Sequence, residues 1–562
     1  MKNKIILIEN REQAEYYINN ADKFRNFFPT ALVFEAEELL SRKGVIFKTD
    51  EDYEADRIFD NVYNSCLKKT EIIIDKVKFY YKKINLAHLL YADIFRFLAY
   101  FERNRIVIEE ILRVESPEEI AVFESDKIGG AFDILKFLSE DKIRVIKLEK
   151  DEKNEKNINY LAGAVQKIAA KNIVNFSNKK KIFFSGSRTL FEPLVSELIK
   201  NKNNLLVRSH MNLQKSWFSG KKYIPFYQLS GFSGKRTNKD IEDIERNFAV
   251  NFSDLENKII KNIIWKMLNE KFNLAMNIID ELECLAMKRK IDLFILDDGA
   301  DFFQKLVINV CNIYGIPSII LQHGLISGEA KSIGDYVLAF GEKSKEKYIK
   351  FGFNPDEIII VGAPQYDSFC FRDKNTNRNK KILYVVDAVN NEELIAGHHL
   401  TKKCQKEILK SLFRVMKKDF PDYGLVIKGR KNWDLNGLID YVAKEEKFTN
   451  YSFFIDADKD ELLSSADAVI IHYTTMGIEA MLFGKPVISY EFRGMEKWNV
   501  FSRMKNVKFA YNEKELGEAI KRSINEKQDG EKIRKILESE LYKLDGKSTK
   551  RAVSFINGIL SK

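Results

Sequence analysis

Residues 291–324 read IDLFILDDGADFFQKLVINVCNIYGIPSIILQHG. The apolar run 293–296 is too short for a buried helix and is bounded by acidic residues, as in a strand covered on both faces of a parallel sheet. Asp297, Asp298 and Gly299 end it. Across 302–314, Phe303, Leu306, Val307, Val310 and Ile313 recur at helical spacing, and Gly315-Ile316-Pro317 stops the helix before a second apolar run at 318–321. The pattern is one strand–helix–strand unit. Both strands of such a unit point the same way, so Asp297–Asp298 and Gln322-His323-Gly324 leave the sheet at one carboxyl-end edge, where open α/β sheets bind ligands.

Around this unit lie 562 residues, 45% of them hydrophobic, enough for the cores of roughly two to four domains. Charged residues make up 31% and are spread along the chain, and no apolar run approaches the roughly 20 residues that cross a bilayer. The opening MKNKIILIENREQAEYY lacks the apolar region and cleavage site of a signal peptide, so the expected location is the cytoplasm. Five scattered cysteines suit a reduced compartment better than a disulfide framework or a zinc site. The net charge of +10 comes from 92 basic against 82 acidic residues, with no compact basic tract interleaved with aromatics. A nucleic-acid partner is therefore not expected; a phosphorylated small molecule or an anionic membrane surface accounts for the excess.

Strand patterns recur at 4–9, near 31–35, and at 120–123, 143–148 and 181–184, with helical patterns over 52–113 and 241–290 that read as insertions. After Gly324 the alternation continues through 336–340 and 357–361. Residues 372–381, RDKNTNRNKK, are polar and mark a linker. Beyond it a fresh set begins, with strands at 382–386, 424–427, 452–455, 468–471 and 487–490 and a helix over 402–418. The expected division is a Rossmann-like domain over 1–370 with insertions at 52–113 and 241–290, a linker at 371–381, a second Rossmann-like domain over 382–545, and a closing helix in 546–562.

Ser185-Gly186-Ser187-Arg188 stands between a strand and a helix; such a turn can hold an anion or can be a tight packing turn only. In the second domain HYTTMGIEAMLFGKPVISY runs from His472 to Tyr490. Thr474 and Thr475 are placed to cap a helix whose start suits a phosphate, and Glu479, one turn along, can accept the hydroxyls of a ribose. A simple cap with an acidic first turn has the same spacing. Lys428-Gly429-Arg430 follows the strand at 424–427 and puts two cations at the same edge. In the first domain Asp297, Asp298 and His323 are the candidates for acid–base work. His398-His399 have no ligand-spaced partner, so no metal site is assigned to them.

Taken in order, GIPSIILQHG at 315–324, IIIVGAPQYDSF at 358–369, HYTTMGIEAMLFGKPVISY at 472–490 and DGKSTKRA at 545–552 resemble the GT-B glycosyltransferases of bacterial surface polysaccharide synthesis, such as capsule and other cell-envelope glycans, and the related UDP-N-acetylglucosamine 2-epimerases and CDP-glycerol glycerophosphotransferases. The resemblance spans about 291–556. It implies an α/β, GT-B-like fold of two facing Rossmann-like domains, with the nucleotide sugar held by the C-terminal domain, the acceptor by the N-terminal one, no cofactor and no metal. It implies donor-binding roles for His472, Thr474, Thr475, Gly477 and Glu479, beside which the charge of Lys428 and Arg430 is expected to serve the donor phosphate, and a cleft loop at Gln322-His323-Gly324. Asp297-Asp298-Gly299 is similar to the acidic motif of bacterial sialyltransferases, whose second acid is the base, which points to Asp298. Where relatives using CMP-linked sialic acid or Kdo have His-Pro, this chain has Lys428-Gly429-Arg430.

The implied function is transfer of a sugar from a UDP- or CMP-linked donor to a surface glycan, glycan-lipid or protein-linked acceptor. Epimerisation of UDP-N-acetylglucosamine, glycerophosphate transfer and a non-catalytic glycan-binding scaffold stand as alternatives. Peripheral contact with the inner face of the membrane is expected through 215–223, KSWFSGKKY.

Overall fold

The computed structural model describes residues 4–53, 58–76, 80–124, 129–138, 143–148, 171–186, 188–210, 224–228, 258–288, 290–297, 301–326, 334–369, 379–387, 389–390, 400–429, 437–472, 474–491, 499–526 and 528–561. Asp298, Gly299, Arg430, His398-His399, the segment 215–223 and most of the expected linker lie outside the described residues.

The decisive unit forms at its expected bounds: strand Leu293–Leu296, helix Phe302–Tyr314 and strand Ser318–Leu321. Asp301 caps the helix by accepting from the Gln304 N–H at 2.8 Å, and Gly315 closes it at φ +63°. Both strands are fully buried and pair in parallel, Phe294 opposite Ser318. They belong to a seven-stranded sheet ordered Ile224–Gln228, Asn204–His210, Lys180–Ser185, Leu293–Leu296, Ser318–Leu321, Tyr336–Ala339, Ile358–Ile360. A six-stranded sheet follows, ordered Tyr451–Phe454, Gly424–Lys428, Lys381–Val385, Ala468–Ile471, Val487–Tyr490, Lys508–Ala510. All pairings in both sheets are parallel, and each reverses direction beside its first strand in sequence, which opens a crevice at the carboxyl ends there. These are two Rossmann-like halves.

None of the described residues before 150 joins the seven-stranded sheet. Lys48–Thr49, Phe27–Ala31, Lys4–Ile8, Glu119–Phe123 and Ile143–Ile146 make a five-stranded parallel sheet of their own, so the unit expected over 1–370 contains two sheets. Apolar periodicity locates strands but does not say which sheet they enter. The helices Ile58–Lys76 and Tyr91–Glu115, expected as an insertion, pack with Lys258–Met287 and Phe302–Tyr314 in one continuous core. It joins Ile5 and Leu7 of the first sheet to Phe183 and Phe294 of the second. The strand expected near 31–35 lies earlier, at Phe27–Ala31, and Phe34–Arg42 is helix. Pro29 is tolerated there because the edge strand Lys48–Thr49 pairs only with Thr30 and Ala31.

Three joints set how the sheets sit. The helix Ser548–Ser561 returns to the seven-stranded sheet, burying Ala552, Ile556 and Leu560 against Ile182, Ile295 and Ile319. Asp367 caps it, accepting from the Ser548 N–H at 2.9 Å and the Thr549 N–H at 2.6 Å, while Gly362 lies so close that a Cβ would fall 2.3 Å from the Ser548 Oγ. A second joint pairs Arg503 with Glu540 at 2.8 and 2.7 Å, where the backbone of Gly341 meets the Glu540 carbonyl. At the third, the first sheet meets the C-terminal domain. Buried Asp50 pairs with Arg103 and Lys403, Glu37 pairs with Lys406, and Phe34 meets Tyr441 edge-on at 6.1 Å.

Removing one member of a buried ion cluster strands the others in low dielectric. Asp50→Ala should therefore lower the unfolding free energy by about 3–5 kcal/mol, measured as a fall in urea midpoint. A loss below roughly 1 kcal/mol, the range of exposed pairs, would show that water reaches the cluster.

Candidate functional site

At the crevice of the seven-stranded sheet the first strand ends in Ser185-Gly186 and its neighbour in Asp297. Gly186 has φ +149°, and a Cβ there would lie 2.3 Å from the Asp297 carboxyl carbon, so only glycine lets that carboxylate fold over the chain. The anion-cradle reading of this turn fails on that point, because a carboxylate already covers it. Asp297 is buried; its Oδ1 accepts from the Gln304 Nε2 at 2.6 Å, and its Oδ2 is 3.0 Å from the His323 Nδ1. A carboxylate so placed accepts the Nδ1–H, which leaves Nε2 as the basic nitrogen of the neutral ring. The His323 side chain is 58% exposed, so the ring is reachable from solvent while its partner is not.

Gln322 takes no place in the cleft. It is buried, donating to the Gly324 carbonyl at 2.8 Å and the Ser344 hydroxyl at 2.9 Å and accepting from the Phe340 N–H at 2.8 Å. Its role is to hold the loop that presents His323. Gly324 meets the other domain: a Cβ on it would lie 3.4 Å from the Thr475 methyl.

On the facing sheet, His472 ends Ala468–Ile471 and is buried. Its Nδ1–H donates to the Tyr490 carbonyl at 2.9 Å, and its own carbonyl accepts from Ser489 and Asn499, both 3.1 Å away. Thr474 is buried and accepts from the Met476 N–H at 3.4 Å. Thr475, expected to cap the helix Met476–Leu482, makes no cap bond; its hydroxyl bonds that of Tyr366 instead. Burial, and then the charge of Glu479, push the Tyr366 phenol well above its ordinary range. Gly477 packs rather than presents: a Cβ would meet Ile471 and Phe501 side-chain atoms at 2.7 Å. Lys428, expected to face phosphate, donates to the carbonyls of Gly429, at 2.9 Å, and Ile455, tying two strand ends together.

Glu479 is 9% exposed, and both its oxygens accept from the Lys459 Nζ at 3.0 Å. Lys459 carried no signal in the sequence, because it follows a different strand of the sheet and meets Glu479 only through the fold. Tyr366 was missed for a related reason, since it reaches the site from the segment joining the domains. Buried Asp387 and Glu491, at the ends of two further strands, complete this edge.

Residues 387–539 match the family described as glycosyl transferases, group 1. The match lies within the C-terminal domain. The chain thus carries a glycosyltransferase enzyme domain on a GT-B-like pair of Rossmann-like halves. Among solved structures it is similar to UDP-GlcNAc 2-epimerase from Neisseria meningitidis bound to UDP-GlcNAc, at 14% identity and TM-score 0.42, covering 67% of this chain and 100% of that one. It is also similar to the lipopolysaccharide outer core galactosyltransferase WaaB (15%, 0.38, 67% and 99%) and to MurG of Acinetobacter baumannii (11%, 0.40, 67% and 99%). No curated protein matches the chain. Among the described residues no helix is long and apolar enough to cross a membrane.

Behind the His323 loop, Lys347 donates to the Ile326 carbonyl. Burial, and secondarily Arg503, lower its ammonium from 10.5 to about 8. Between those values the unfolded chain holds a proton that the folded one has released, so stability rises with pH across that window. Wild type should gain stability between pH 7.5 and 9.5 relative to Lys347→Met, measured by urea midpoints; equal pH slopes in the two proteins would refute the assignment.

Proposed function

We propose that the protein transfers a sugar from a UDP- or CMP-linked donor to a surface glycan, glycan-lipid or protein-linked acceptor. What carries this reading is a juxtaposition: the Asp297–His323 pair and the Thr474–Glu479 segment stand on facing sheet edges that touch at Gly324 and Thr475. A carboxylate-held imidazole is suited to take the proton of an acceptor hydroxyl as it attacks the sugar. On the other side His472, Thr474, Thr475 and Glu479 are suited to hold the nucleotide and stabilise it as it leaves. His323 then acts through Nε2, Asp297 positions the ring, and Asp298 is the rival base suggested by its motif. Neither a metal nor a covalent intermediate has a part in this scheme, nucleic acid is not a partner, and the enzyme works in the cytoplasm with peripheral contact to the membrane.

Removing a general base typically costs about 10²–10⁴ in rate. His323→Ala should lower kcat by that factor while nucleotide affinity changes little, and Asp298→Asn should cost less than about tenfold. The reverse pattern would return the role to Asp298. Melting temperatures with UDP, CMP, CDP, GDP and dTDP identify the donor class, since a ligand at about 100 times its Kd adds roughly 2.7 kcal/mol. Incubation with donor alone should leave the sugar unepimerised, and excess EDTA should leave the transfer rate unchanged; rapid epimerisation without acceptor would replace glycosyl transfer as the reading.

A further inference from the structure

The N-terminal sheet is built like a ligand-binding unit. Its strands are all parallel, and their order, Lys48–Thr49, Phe27–Ala31, Lys4–Ile8, Glu119–Phe123, Ile143–Ile146, reverses direction beside the first strand in sequence, as in the two larger halves. Such a reversal opens a crevice at the carboxyl ends. Here Glu9 fills it. The residue is buried at the end of the first strand, its Oε1 accepts from the Ala131 N–H at 2.7 Å, and a Cβ on Gly130 would lie 2.8 Å from the same oxygen. The chain's own carboxylate takes the N–H that a bound anion would use.

The rest of that edge faces the C-terminal domain. Asp50 directly follows the strand Lys48–Thr49 and pairs with Lys403, while the helix Phe34–Arg42, which follows the next strand, gives Glu37 to Lys406. The Ser41 Oγ lies 3.4 Å from the Tyr441 hydroxyl, and a Cβ on Gly437 would collide with the Glu38 carboxylate. Lys403 and Lys406 open the helix Lys402–Asp419; Gln405, between them, donates to the Tyr384 hydroxyl at 2.8 Å, near the carboxyl end of the strand Lys381–Val385. The contact therefore falls at the edge of the C-terminal sheet that carries the candidate site.

Successive side chains of a strand point to opposite faces of its sheet. Along Lys381–Val385, Ile382 and Tyr384 lie in one core cluster with Phe34, while Leu383 and Val385 lie in another with Phe340 and Ala363. Phe34 comes from the N-terminal unit, and Phe340 and Ala363 from the seven-stranded half, so the C-terminal domain is held by both faces of its sheet. Two bodies joined on one side can rotate about that joint; a second attachment on the opposite face removes the rotation. The N-terminal unit is itself fused to the seven-stranded half through a continuous apolar core, so it cannot swing as a separate flap. We propose that the N-terminal unit is an intramolecular brace, not a third ligand-binding domain, and that it keeps the cleft assembled without ligand by denying the two larger halves a hinge opening. Such a mounting is independent of which reaction the cleft performs.

Distance measurement between bioorthogonal spin labels at the exposed positions of Lys200 and Lys521, one in each larger half of the full chain, tests the brace. Wild type without ligand should give one narrow distance. Phe34→Ala combined with Lys406→Met removes an apolar and an ionic grip while leaving Asp50 in place, and should broaden the distribution toward longer distances with the hydrogen exchange of each half's central strands unchanged. A broad or two-peaked distribution in wild type would overturn the proposal, as would a folded double variant as narrow as wild type. Should the double variant not fold, hydrogen exchange of wild type decides: interior amides of the helix Phe34–Arg42 should exchange no faster than those of the returning helix Ser548–Ser561, and faster exchange confined to the former would show a loose flap and overturn the brace. Inorganic phosphate, UDP or CDP at millimolar concentration should leave exchange at 131–137 unchanged; slowing there would make the N-terminal sheet a ligand-binding domain and overturn it too.

Discussion

The cleft depends on one buried carboxylate. Asp297 sits where the first and fourth strands of the seven-stranded sheet diverge, and each of its neighbours is chosen to keep it there: Gly186 for lack of a side chain, Gln304 for its amide, His323 for its Nδ1. A carboxylate out of water needs hydrogen bonds to both oxygens, and meeting that need places an imidazole at the cleft mouth in one tautomer. The requirement of the acid and the presentation of the base are a single arrangement.

Acidic residues also decide how the three sheets are joined. Asp50 binds the N-terminal sheet to the C-terminal domain, Asp367 fastens the returning helix, and Glu540 anchors the strut between the two larger halves. Each serves a group that would otherwise be left unpaired, either an enclosed cation or the free N–H groups of a helix start. The two facing edges are thereby held in contact at Gly324 and Thr475 from several directions, which suits a site assembled from both halves.

Much of this was legible along the chain. Strands at 293–296, 318–321, 468–471 and 487–490 and the helices between them form at or beside their expected bounds, because fully buried parallel strands and amphipathic helices leave short, distinct apolar patterns. The convergence of Asp297 with His323 followed from parallel topology alone. What misled were residues whose type suits several tasks. Gln322, Lys428 and Gly477 look like site residues by position, yet they are occupied with a loop, two strand ends and a close helix packing. Thr475 looks like a cap and is a cross-domain contact.

The sequence by itself determined the α/β class, the direction of the strands and therefore the edges at which chemistry collects, since these follow from periodicity and from the geometry of strand–helix–strand units. Only the tertiary structure decided that the first 150 residues build a third sheet, that Lys459 and Tyr366 attend Glu479 and Thr475, and that Asp297 holds His323 by one nitrogen. Those facts are distances between residues far apart in sequence, and local pattern holds no record of which surface each element finally meets.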